Sequence, residues 1–170
     1  LRMALRHDMV GVALCRGGTT VVPHGGTGRR TGTNPIGVSI PAGEERPIIL
    51  DMATSSVAVG HVQTLALEGR PIPAGWMIDA EGNPVTGVLD TTDPGELLRR
   101  GYALLPFGSY KGYGINVAVE VLSGALSGSG TGRRGRGQGT LMAAIDVAAF
   151  IPVEEFKVEV DRLIRDIKSS

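Results

Sequence analysis

Three short blocks set chemistry-bearing side chains beside glycine or proline. They are Gly-Thr-Asn-Pro at 32–35, Leu-Asp-Met-Ala-Thr at 50–54, and Leu-Pro-Phe-Gly-Ser-Tyr-Lys-Gly-Tyr-Gly at 105–114. Polar groups at a break in an apolar segment are presented to a ligand more readily than to a core. Asp51 ends the apolar run Ile-Ile-Leu. A carboxylate there can accept hydrogen bonds from ribose hydroxyls or orient a catalytic base, and it can equally cap a following helix. Lys111 supplies a compact ammonium suited to phosphate or to ribose oxygens. A solvated lysine is the plainer reading, yet a cation at a helix start opposes the helix dipole, which hints at a bound anion. Thr33 and Asn34 offer a hydroxyl and an amide that could read a substrate carboxylate, or could serve the turn alone. His24, in Val-Val-Pro-His-Gly-Gly, lies in a loop and is a candidate general base, a loop histidine without that role being the plainer reading. His7 reads as a solvated helix-end residue, and His61 falls inside a helix.

These residues need elements to hold them. Leu1–His7 has the spacing of a helix tail, and Val10–Cys15 is a continuous apolar run expected to be a buried strand. Residues 16–35 form a long Gly- and Thr-rich loop. Ile36–Ile40 and Ile48–Met52 are expected to pair as strands across the polar turn 41–47. Ser55 and Ser56 are candidate caps for a helix over 57–68, which Gly69 and Pro71 end. Trp76–Ala80 reads as a short strand. Asp93-Pro94 opens a helix to Arg100, with proline at its first position. Lys111–Leu126 reads as a helix despite its glycines, and Leu141–Ile145 as a strand. Val153, Phe156, Val160, Leu163, Ile164 and Ile167 recur at helical spacing, predicting a C-terminal helix that docks by this stripe and leaves Glu154, Lys157, Asp161, Arg165 and Lys168 wet. The whole predicts an α/β (α+β) chain with a mixed β-sheet flanked by helices, read as one domain over 1–170.

Composition narrows the function. Seventeen Lys plus Arg balance seventeen Asp plus Glu, so no net field favours nucleic acid or a membrane surface. The run Thr131-Gly-Arg-Arg-Gly-Arg-Gly-Gln-Gly139 lacks interleaved aromatics and reads as a solvated loop rather than an RNA-binding segment. No apolar run approaches the roughly 20 residues that span a bilayer. One cysteine, Cys15, allows no intrachain disulfide, and a cytoplasmic location is expected. No ligand spacing suggests zinc or any other metal. No P-loop is present, and no Gly-x-Gly-x-x-Gly follows a strand and opens a helix in the Rossmann manner.

With these blocks in place, Gly-Thr-Asn-Pro-Ile-Gly-Val, Leu-Asp-Met-Ala-Thr-Ser, Pro-Ala-Gly-Trp-Met-Ile-Asp-Ala-Glu-Gly-Asn-Pro, Lys-Gly-Tyr-Gly and Glu-Val-Leu-Ser-Gly together resemble the malate/L-lactate dehydrogenase family. That group also holds ureidoglycolate, sulfolactate and Δ1-piperideine-2-carboxylate oxidoreductases. The resemblance implies a sulfolactate-dehydrogenase-like NAD(P)-binding core that is not a Rossmann fold. It implies hydride transfer between NAD or NADP and C2 of a small 2-hydroxy or 2-keto acid, in a homodimer at full length. It places Asp51, Met52 and Ala53 along the dinucleotide and gives Lys111 a role in the cofactor site; Thr33 and Asn34 remain the substrate candidates read from their own chemistry. Relatives carry their acid–base histidine in a motif like Asn-x-His-Phe-Gly before the segment matching Val10–Cys15, so the chain reads as a fragment whose catalytic histidine lies upstream of residue 1. Where relatives have a cofactor-contacting serine, this chain has Gly17. The alternative is a non-catalytic nucleotide-binding or interaction domain.

Overall fold

The computed structural model describes residues 1–170, which divide into two compact units. The first comprises Leu1–Leu14, Ile36–Met52 and Leu141–Ser170; the second comprises Cys15–Pro35 and Ala53–Thr140. The elements are α1 (Arg2–Leu5), β1 (Met9–Arg16), β2 (Ile36–Ile40), β3 (Ile48–Met52), α2 (Val59–Leu67), β4 (Met77–Ile78), α3 (Pro94–Arg99), β5 (Ala103–Leu104), α4 (Tyr110–Glu120), β6 (Gly139–Asp146) and α5 (Val153–Lys168). No helix is long and apolar enough to cross a membrane.

The first unit is built on a sheet of order β3-β2-β1-β6. β1 and β2 run antiparallel with Val12 opposite Val38, and β2 and β3 run antiparallel with Gly37 opposite Asp51. The expected pairing across the 41–47 turn is therefore present. Helix α5 follows its sequence period and docks in part by the expected stripe, with Val160 buried and Val153, Phe156 and Ile164 half-buried, and Glu154, Arg165 and Lys168 stay exposed; Asp161 and Lys157 depart from expectation. Asp161 is buried, and its carboxylate accepts from the backbone amides of Gly43 at 3.0 Å, Glu44 at 2.8 Å and Glu45 at 3.2 Å. Arg165 and Lys168 reach Glu44 and Glu45 at 2.7 and 2.6 Å, and Lys157 reaches Asp8 at 2.8 Å. Leu163 and Ile167 are 52% and 63% exposed. The charged face thus engages the turn, because three parallel amides in one turn make an anion-binding concavity that a single carboxylate satisfies.

The second unit has its core around Val21, Val62, Leu65, Ile72, Met77 and Leu104. β4 pairs with β5 antiparallel, Met77 opposite Leu104, so the strand expected over 76–80 is only two residues long. Asp93 caps α3 as its type and the following proline predict, accepting from the Gly95 amide at 2.8 Å. The caps expected for α2 are not used. That helix starts after Ala58 without a side-chain cap, while Ser55 Oγ donates to the Val57 carbonyl and Ser56 Oγ to the Pro106 carbonyl. α4 ends at Glu120 and continues as a π-helical turn over Val121–Ala125. Gly112 is required at its start: a Cβ there would lie 1.8 Å from the Phe107 carbonyl oxygen.

Candidate functional site

The Gly-Thr-Asn-Pro turn rests on a buried polar network inside the second unit. Asn34 is fully buried at φ 37°, in the left-handed region that asparagine tolerates better than most residues. Its Nδ2 donates to Glu120 Oε2 at 2.6 Å and to the Asn116 carbonyl at 3.3 Å, and its Oδ1 accepts from the Gly17 amide at 3.2 Å. Asn116 Nδ2 donates to the Gly32 carbonyl and to Thr54 Oγ1, each at 2.8 Å. Thr54 in turn donates its amide to the Thr33 carbonyl at 2.8 Å, and its hydroxyl lies 3.0 and 2.9 Å from the Thr33 and Asn34 carbonyls. The first and second sequence blocks are thereby joined at Thr33, Asn34 and Thr54, with Ala53 next in the chain.

Under this turn lies an ion pair. Arg16 Nε donates to Glu120 Oε1 at 2.8 Å, with side chains 3% and 5% exposed. Glu120 Oε1 also accepts from the Gly132 amide at 2.7 Å. The two Arg16 Nη atoms donate to the Gly137 carbonyl at 2.5 Å and the Gly132 carbonyl at 2.7 Å. Both oxygens of the carboxylate accept and all three nitrogens of the guanidinium donate, the condition under which a buried pair is tolerated.

The third block opens α4. Lys111 is exposed in the helix's first turn and forms no ion pair. Ser109 precedes the helix at φ 63°, ψ −127°, a costly conformation for a residue with a Cβ. Its Oγ lies 3.1 Å from His24 Nδ1. A cavity of about 270 Å³ is lined by His24, Ser56, Gly75, Leu105, Pro106 and Ser109, among others. His24 therefore meets a hydroxyl at the head of α4, a placement its sequence context did not reveal. His61 stands on α2, its ring 6.3 Å from that of Trp76 and edge to face, and His7 is exposed.

In the first unit Asp51 and Met52 close β3, with Asp51 exposed and without a hydrogen-bonded or ionic partner of its side chain. Its side chain is thus available to a hydroxyl donor. Thr33 keeps part of its surface accessible, whereas the Asn34 amide is engaged wholly in the network.

The residues that sequence reasoning passed over are Arg16, Glu120, Asn116 and Ser109. A signal existed for the first two. Glu120 is the only charged residue between Lys111 and Arg133, and Arg16 ends an otherwise apolar strand. Charges in such surroundings are seldom buried without a partner.

The family model for malate/L-lactate dehydrogenase matches residues 1–170. The chain belongs to the malate/L-lactate dehydrogenase family. Within that family it is 38% identical over 175 residues to a malate dehydrogenase of Pyrococcus horikoshii, covering 99% of this chain and 48% of that protein. A Δ1-pyrroline-2-carboxylate/Δ1-piperideine-2-carboxylate reductase of Pseudomonas putida is 44% identical over 120 residues, 71% of this chain and 33% of that protein. The solved sulfolactate dehydrogenase of Methanocaldococcus jannaschii superimposes with a TM-score of 0.83 at 35% identity, covering 99% of this chain and 49% of that one. The fold is thus the sulfolactate-dehydrogenase-like one expected, and the chain spans about half the length of the curated relatives it matches.

Proposed function

We propose that this chain forms the nicotinamide-binding part of an oxidoreductase that moves a hydride between NAD or NADP and C2 of a small 2-hydroxy or 2-keto acid. The observation that carries this reading is the match of the malate/L-lactate dehydrogenase model to all 170 residues. The dinucleotide supplies the hydride chemistry, and the protein supplies binding and orientation.

The residues present fit such a group. Lys111 is an exposed ammonium with no carboxylate neighbour, suited to a phosphate or ribose oxygen. Asp51 is an exposed, unpartnered carboxylate that can take a ribose hydroxyl, and Met52 and Ala53 follow it along the dinucleotide. Thr33 meets the substrate through its accessible hydroxyl. Asn34 holds that turn from beneath, so its contribution is to placement. The sequence contains no Asn-x-His-Phe-Gly motif, and no residue of this chain is given the proton-transfer role. The full-length protein is read as a cytoplasmic homodimer acting on a small molecule, without nucleic acid or membrane.

Trp76 is the sole tryptophan and offers a direct test. NADH or NADPH titrated into the protein should quench its emission saturably. Failure of both dinucleotides to bind below about 1 mM, a free energy of only about −4 kcal/mol, would return the chain to the class of interaction domains.

A further inference from the structure

The head of α4 holds an exposed serine in a conformation that its type does not favour. Three residues other than glycine have positive φ: Asp8, Asn34 and Ser109. Aspartate and asparagine are among the types that tolerate it. Ser109 is neither, and its ψ of −127° takes it outside the left-handed helical basin, where glycine is at ease and a residue with a Cβ is strained. A glycine would fill the position without strain, so what the serine adds is its hydroxyl. That hydroxyl lies 3.1 Å from His24 Nδ1, and the His24 ring is braced edge to face by Tyr110, with centroids 6.1 Å apart. Ser109 and His24 are both exposed, and both line the same cavity of about 270 Å³, beside the apolar Leu105 and Pro106. β5 ends at Leu104 and Ser109 immediately precedes α4, with Gly108 and Gly112 giving the turn its room. The amides of Tyr110 and Lys111 open this eleven-residue helix and have no acceptor in the chain.

We propose that Ser109 and His24 form a nucleophile and base pair that hydrolyses small carboxylic esters in this cavity. A strained serine on a strand-to-helix turn, with the amide of the next residue free, is the arrangement that exposes a hydroxyl for attack. With the imidazole proton on Nε2, Nδ1 accepts from the hydroxyl. Ser109 Oγ attacks the ester carbonyl carbon as its proton passes to Nδ1, and the Tyr110 and Lys111 amides face the oxyanion that develops. The bond to the leaving oxygen breaks, His24 returns the proton to it, and the alcohol departs. Water, activated in the same way, then cleaves the acyl-serine to give the carboxylic acid and free Ser109. No carboxylate is bonded to His24, so the pair works as a dyad. The proposal does not depend on the oxidoreductase reading.

The test is hydrolysis of p-nitrophenyl acetate by the 170-residue chain, read as release of p-nitrophenolate. Ser109→Gly and His24→Ala serve as variants, and His7→Gln, an exposed histidine of the first unit, serves as control. Circular dichroism confirms the fold of each, and Ser109→Gly also relieves the strained turn. Saturable turnover by the parent should fall at least about tenfold in kcat/KM in each of the two variants and stay unchanged in the control. Phenylmethanesulfonyl fluoride should block it, with the label found on Ser109 in the tryptic peptide 101–111 by mass spectrometry, and His24→Ala should slow the labelling. Absence of turnover by the parent, a loss smaller than tenfold in either variant, an equal loss in His7→Gln, or a label on Tyr102, Tyr110 or Lys111 in place of Ser109 overturns the proposal. Activity that survives Ser109→Gly and falls only in His24→Ala assigns the hydrolysis to the imidazole alone and overturns it as well.

Discussion

Replacing Glu120 by glutamine keeps the shape of the side chain and removes its charge, so it tests the network beneath the Gly-Thr-Asn-Pro turn. Glu120 accepts from three donors: Arg16 Nε, the Gly132 amide and Asn34 Nδ2. A glutamine can turn its oxygen toward Arg16 and Gly132, but its NH2 then faces the Asn34 NH2. Flipping Asn34 moves the conflict to the Gly17 amide, which donates to Asn34 Oδ1. No arrangement of the two amides satisfies all four neighbours, and Arg16 remains charged and buried. Removing one partner of a buried pair costs about 3–5 kcal/mol. For a chain of this size that corresponds to a fall in melting temperature of about 6–20 °C. Thermal and urea unfolding followed by circular dichroism read the change. The double variant Arg16→Met/Glu120→Leu should lose less than the sum of the two single variants by at least about 1 kcal/mol, since it leaves no unpaired charge. A Glu120→Gln protein melting within about 2 °C of the parent, or strict additivity in the double variant, would refute the reasoning.

Three further outcomes follow from the same structure. If the proposed reading holds, Lys111→Ala in the full-length protein should raise the dissociation constant for NAD(P)H about ten- to hundredfold, the worth of a charge-assisted contact of about 1.5–3 kcal/mol, while the melting temperature stays put; unchanged binding in a fluorescence titration would make Lys111 a surface residue. Gly112→Ala should destabilise by about 1–3 kcal/mol because of the Phe107 carbonyl, whereas Gly114→Ala, with nothing within 4 Å of the new methyl, should stabilise by up to about 1 kcal/mol; urea midpoints that rank the two the other way would place the crowding wrongly. Burial opposes ionisation of Asp161, but the amides of Glu44, Glu45 and Gly43 outweigh it and hold the carboxyl below the usual range. A depressed carboxyl contributes stability that is complete above its unfolded value near 3.9 and is lost as the pH falls through the folded one. The parent should therefore exceed Asp161→Asn in stability at pH 7, with the gap narrowing below about pH 4; a gap independent of pH would mean that the charge is irrelevant.

The strands at 36–40 and 48–52, the Asp93 cap and the period of α5 were legible because each is a local rule written in consecutive residues. The docking face of α5 was legible only in part: Val160 is covered and Val153, Phe156 and Ile164 are half-covered as the stripe predicts, but Asp161 is buried beside them. Its apolar stripe is genuine in sequence, but the three amides of the 43–45 turn attract Asp161, and such an attraction depends on a turn 116–118 residues away in the chain. The site shows the same division. Lys111, Thr33 and Asp51 are accessible, as residues in glycine-punctuated blocks should be. Asn34 has the same local signature and yet is buried, because Glu120, 86 residues on, claims its amide. Local pattern marks where a turn is, and long-range partners decide which of its side chains faces outward.

Arg16 also has a kinetic consequence. The segment 130–139 holds glycine at 130, 132, 135, 137 and 139, a composition that would otherwise sample many conformations. One guanidinium closes it through two backbone carbonyls, much as a cross-link would close a ring. Arg133, Arg134 and Arg136 lie inside that ring and are cleavage points for trypsin. Proteases need extended, mobile backbone, so the intact ring should resist digestion while native, and Arg16→Met should convert the same three bonds into the first ones cut.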